Sequence, residues 1–150
     1  MSAQKFRIDG AYLGRNEEER LARSHWSKAN EVKRDETEMA AWCAKEAGLK
    51  RVTYPVDVLI EFSEQVRFYK NGNRKKPRDC DNVQGAIKPI VDGLVRAGIV
   101  QDDGPDYVKR VIPIVRYVRE DPHITVAVMK YTPKRTITYL PVNVPESECD

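Results

Sequence analysis

From Val83 to Val95 the apolar residues Val83, Ala86, Ile87, Ile90, Val91, Leu94 and Val95 recur at i, i+3, i+4 and i+7, which gathers them on one stripe of an α-helix. Gly98 follows the last turn as a stop signal. A stripe of that width has to be covered, so the chain must build a second layer against it. The material for that layer is visible on both sides. Val56, Val58, Ile60 and Phe62 alternate with Asp57, Leu59 and Glu61, the period of a strand, here read over Val52–Phe62. Val108–Val118 and Ile124–Tyr131 are rich in β-branched residues and flank Glu120-Asp121-Pro122, which predicts a hairpin of adjacent strands.

The rest of the chain adds to the same two layers. Lys5–Asp9 alternates weakly and predicts a first short strand ended by Gly10. Asn16–Ala47 is rich in Glu, Lys, Arg and Ala, with Leu21, Trp26, Ala29, Val32, Met39, Ala40, Cys43 and Ala47 near helical spacing and Gly48 as its stop. The run Ser24-His25-Trp26-Ser27 is expected to divide it into two helices. Trp26 and Trp42 are assigned to the core or to a dimer interface. Pro89 lacks a backbone donor and crowds the carbonyl of Gly85, so a kink or a helix start is expected there. Ile137–Val144 would add an edge strand, the place where Pro141 is tolerated. The expectation is a single α+β domain over residues 1–150, a small mixed sheet packed against helices, with a loose tail from about residue 145.

Charge narrows the function. The formal net charge is only +3, but Arg67, Lys70, Arg74, Lys75, Lys76 and Arg78 fall in one stretch with no acidic residue among them and with the turn signal Asn71-Gly72. An exposed basic loop or ribbon results, suited to phosphate contact. Cys43, Cys80 and Cys149 lack CxxC spacing and the chain has only 2 histidines, which argues against a zinc site or a disulfide framework and for a reducing compartment. No apolar run approaches the roughly 20 residues of a membrane span, and Met1–Arg7 lacks the apolar stretch of a signal peptide. A cytoplasmic protein without a membrane partner is expected, and no protein partner other than a second copy is inferred.

Directly after the basic stretch comes Asp79-Cys80-Asp81-Asn82, and just beyond the helix comes Asp102-Asp103. Carboxylates clustered beside cations suit hard divalent ions held against a phosphodiester. A structural role competes, because Asp79, Asp81 and Asn82 are also good helix caps. An EF-hand loop starting at Asp79 would need an oxygen ligand at Val83, glycine at Gln84 and glutamate at Ile90, and fails at all three. Phosphatase and glycosyltransferase DxD motifs follow a buried apolar strand, whereas Asn73–Arg78 is polar or proline. A straight helix of about 16 residues would hold its two ends some 24 Å apart. The chain must therefore bend back if the two aspartate pairs are to meet.

The stretch from Arg78 to Asp103, RDCDNVQGAIKPIVDGLVRAGIVQDD, resembles the RusA family of crossover-junction endodeoxyribonucleases, with its aspartate pair and asparagine, a lysine, a helix and a closing Asp-Asp. The resemblance implies a RusA-like dimeric fold, metal binding by Asp79, Asp81 and Asp103 with Asp102 beside them, and Mg²⁺ as cofactor with Mn²⁺ as a substitute. It also implies that a homodimer resolves four-way DNA junctions by paired cuts in recombination and repair, in a bacterium or a phage. Lys88 matches the family's lysine as a phosphate contact or transition-state cation, although it follows Asp81 by seven residues where the simplest family pattern has four. Both gaps return to one helical face.

Asp92 lies near the same face and reads either as a neighbour of the ligands or as a solvated or capping carboxylate. Cys80 reads as a packing residue, and His25 and His123 as surface or turn residues. Two other functions fit parts of the pattern: a non-catalytic DNA-binding module that keeps the aspartates as caps, and a Mg²⁺-dependent phosphohydrolase of small phosphate esters.

Overall fold

A computed structural model describes residues 3–12, 15–76 and 80–133. The elements run β1 (Gln4–Asp9), α1 (Arg15–Ser24), α2 (Trp26–Glu46), β2 (Val56–Gln65), α3 (Cys80–Arg96), β3 (Val108–Val118) and β4 (His123–Lys130). The expected Ile137–Val144 strand and the tail beyond it lie outside the described residues.

The four strands form one sheet in the order β1-β4-β2-β3. It is mixed: β2 runs parallel to β3 and antiparallel to β4, which is antiparallel to β1. The alternation seen in the sequence places Val56, Val58, Ile60 and Phe62 on one face, each no more than 1% exposed. Register then builds rows across the sheet. Ile60 stands opposite Val126, which faces Phe6, and Phe62 stands opposite Ile124, which faces Ile8. This face meets the apolar stripe of α3, where Val83, Ala86, Ile90 and Leu94 are fully buried in the same cluster.

β3 and β4 do not form the expected hairpin of neighbours, because β2 lies between them. The connection Arg119–Pro122 crosses two strand spacings, roughly 10 Å, which four extended residues can reach. Asp121 takes a left-handed φ of 63° in that crossing. β2 holds the centre because its backbone pairs on both edges while its side chains are buried on both sides, including Asp57 and Ser63 on the outer face.

The long helical region is divided at His25, as its sequence implies, and α2 ends before Gly48, whose φ of +76° closes the last turn. α2 packs on α3 through Ala40, Ala41 and Ala44. The approach is unusually close at Gly93, where an added Cβ would lie 2.6 Å from the Ala40 Cβ and 3.0 Å from the Ala41 nitrogen. α2 meets α3 through these small side chains, and Trp26 and Trp42 are 69% and 59% exposed rather than core. α3 runs unbroken from Cys80 to Arg96 with Pro89 inside it, so the helix does not begin at the proline. No helix of the described residues is long and apolar enough to cross a membrane.

Candidate active site

The segment after α3 turns at Gly98, with a φ of +75°, and returns toward the sheet, where the Tyr107 and Val108 amides donate to the Gly104 carbonyl. This return carries Asp102 and Asp103 back along α3 instead of leaving them beyond its end. Lys88, in the middle of α3, meets Asp103. Its ammonium donates to Asp103 Oδ2 at 3.0 Å and to Asp92 Oδ1 at 2.9 Å. Asp92 is one turn further along the same helix face, so the lysine links two elements through two carboxylates.

Electrostatics follow from that geometry. The hydrogen bonds that the ammonium donates to Asp92 and then to Asp103 raise the Lys88 pKa above that of an ordinary lysine, so the group is a fixed cation at any physiological pH. The bond from Lys88, helped by its charge and by a side-chain bond to Asp102, lowers the Asp103 pKa. Asp103 is accordingly ionised, half-exposed and held in place. Asp102, the second member of this pair, is exposed beside it.

Asp81 is exposed in the first turn of α3. Helical phase puts Asp81, Lys88 and Asp92 within about 20° of one line, but the seven residues from Asp81 to Lys88 span about 10 Å of helix axis. The structure thus joins Lys88, Asp92, Asp102 and Asp103, and leaves Asp81 two turns away on the same face. Asp79 and Arg78 lie outside the described residues. Among the described residues no group of three or more His, Cys, Asp or Glu side chains is gathered to hold a metal ion.

A pocket of about 300 Å³ opens between α3 and β3, lined by Gln84, Lys88, Asp103, Lys109 and Arg110 among others. Lys109 and Arg110 were not singled out from the sequence. Arg110 is oriented by Asp57, which it contacts through both its Nε, at 2.9 Å, and its Nη2. Asp57 is fully buried. The only signal for this pair was a carboxylate on a strand that otherwise reads as apolar, and its partner stands 53 residues later in the chain.

The expected basic loop is a ribbon. Phe68 pairs with Arg74 in an antiparallel bridge, the Tyr69 amide donates to the Asn73 carbonyl and the Lys75 amide to the Arg67 carbonyl, and Gly72 turns the tip with a φ of +86°. Arg67, Lys70, Lys75 and Lys76 are exposed. The Arg74 guanidinium lies 5.7 Å from the ring centre of Tyr117 on β3, which anchors the ribbon beside the sheet end. No protein-family model matches the chain, and no curated protein matches it at a significant level.

Proposed function

We propose that this chain is a divalent-metal-dependent endodeoxyribonuclease of the RusA type that cuts four-way DNA junctions as a homodimer. The observation that carries the reading is the Lys88 ammonium held between Asp92 and Asp103. It brings the later aspartate pair beside α3, whose first turn carries Asp81, and the ribbon that precedes this helix in the chain carries exposed cations.

The donor set offers only carboxylate oxygens, the choice of hard cations such as Mg²⁺ or Mn²⁺. In this reading Asp79, Asp81, Asp102 and Asp103 hold the metal, and Asp79 is required to complete the set. Bound Mg²⁺ would supply an activated water and stabilise the leaving oxygen of an in-line displacement. Asp103, whose pKa the hydrogen bond from Lys88 lowers further, offers the anionic oxygens that a hard cation takes. Lys88, kept protonated by its raised pKa, has no free lone pair to act as a base and serves instead as a positive charge facing the phosphate. The ribbon cations, with Lys109 at the pocket rim, offset the repulsion between the aspartates and the DNA backbone. Two symmetric sites are what paired cuts on strands of like polarity demand.

The rival reading, a DNA-binding module without catalysis, is favoured by the absence of a three-carboxylate cluster among the described residues. One experiment separates the two. The protein is incubated with an end-labelled synthetic four-way junction and Mg²⁺, in parallel with Asp81→Asn. Cleavage by the native chain to 5′-phosphate ends, abolished in the variant, supports the nuclease. Junction binding with no cleavage in either establishes the module, and turnover of small phosphate esters alone would point to a phosphohydrolase.

A further inference from the structure

Phe68 and Tyr69 sit side by side on the ribbon that precedes α3, and both are exposed, at 61% and 54%. Consecutive residues of an extended ribbon point to opposite faces. Tyr69 shares its face with Lys75, whose ammonium is 5.3 Å from the ring centre. Phe68 shares the other face with Arg74, its partner across the bridge. A phenyl ring so exposed adds little to the core, and its side chain has no polar atom to offer water. Around it stand the exposed cations Arg67, Lys70, Lys75 and Lys76, and residues 66–76 contain no carboxylate.

Such a surface suits a polyanion that also presents flat apolar faces. Duplex DNA supplies the charge but keeps its base faces stacked inside. Unstacked bases, in a single strand or at an open crossover, supply both, and stacking on an exposed aromatic ring flanked by cations is the general mode of single-strand recognition. We infer that Phe68 stacks on such an unstacked base, so that the ribbon distinguishes branched or single-stranded DNA from plain duplex. The inference rests on the nucleic-acid part of the reading above and not on cleavage. Tyr69 and Lys75 form the second face of the same device, and the remaining cations follow the phosphates.

The test measures binding of the full chain in EDTA, where no cutting occurs, to three probes at one salt concentration: a four-way junction with 2-aminopurine at the crossover, a single strand and a duplex. The expected result is a fluorescence change at the crossover and a roughly 5- to 150-fold loss of junction and single-strand affinity in Phe68→Ala, with duplex affinity unchanged. Phe68→Trp is expected to bind like the native chain, while Phe68→Leu, apolar but without a π-face, should fall with the alanine variant. Equal loss on all three probes, no loss on any, or full rescue by leucine would overturn the inference, the last indicating an apolar peptide contact instead. A native chain that binds none of the probes overturns it as well. If the junction is never cut in Mg²⁺ but Phe68→Ala still loses single-strand affinity, the nuclease reading falls and this one stands.

Discussion

Lys88 Nζ lies 3.0 Å from Asp103 Oδ2, across fifteen residues of chain and the whole second half of α3. The contact exists because the loop after Gly98 returns beside the helix. It places a cation and an ionised carboxylate at the mouth of the pocket between α3 and β3.

Removing either partner should affect chemistry far more than folding. Under the proposed nuclease function, Lys88→Ala, which removes a cation facing the phosphate, and Asp103→Asn, which removes a metal-holding carboxylate, are each expected to lower single-turnover junction cleavage by about 10²–10³-fold. Both groups are largely solvent-facing, so melting temperatures should stay at the native value. Cleavage at the native rate in Asp103→Asn would remove this residue from the site.

The pair also has a defined pH window. Asp103 is shifted below its ordinary value of 3.8, so its contribution is complete above 3.8 and is lost as pH falls through the lower, folded-state value. Lys88 is shifted above 10.5, so its contribution is complete below 10.5 and is lost as pH rises through the higher, folded-state value. Between these limits the contact holds. A carbon-detected NMR titration should find the Asp103 carboxyl midpoint below 3.8 in the native chain and moved upward in Lys88→Ala. A native midpoint at or above 3.8 would contradict the contact.

At the ribbon, simultaneous replacement of Lys70, Lys75 and Lys76 by alanine should weaken duplex and junction binding alike. Each lost phosphate contact lowers the slope of log affinity against log salt by about 0.9 on duplex, so the triple variant should lose about 2–3. An unchanged slope would show that the ribbon does not touch DNA.

Two internal features should govern stability. Gly93→Ala places a methyl within 2.6 Å of the Ala40 Cβ and should cost about 1–3 kcal/mol by overpacking. Arg110→Ala strands the fully buried Asp57 carboxylate. Because the arginine side chain is itself 36% exposed, the expected loss is smaller than that of breaking a fully buried pair. Urea unfolding of both variants measures these values, and a native midpoint in either would refute the packing argument behind it.

What could be read from the chain follows the range of the interaction involved. The α3 stripe, the β2 alternation, the break at His25 and the turns at Gly48, Gly72 and Gly98 all depend on residues within a few positions of one another, and each stands where its local pattern put it. The ribbon cations and the aspartate pairs were equally legible, because charge runs need no partner to be seen. Lys88 shares a helix face with Asp81, as their phase gives, because α3 continues through Pro89.

The remainder was decided by contacts between distant segments. Local turn chemistry favoured joining β3 to β4, yet β2 buries side chains on both faces and pairs on both edges, and so took the place between them. Trp26 and Met39 carry apolar side chains at helical spacing, yet both are exposed, because α2 meets α3 through Ala40, Ala41 and Ala44. Asp103 reached Lys88, and Asp57 reached Arg110, only through the folding back of whole segments. Periodicity and phase are properties of one element and are written in its residues, whereas strand order, helix spacing and charge pairing are settled by competition among elements for the same buried space.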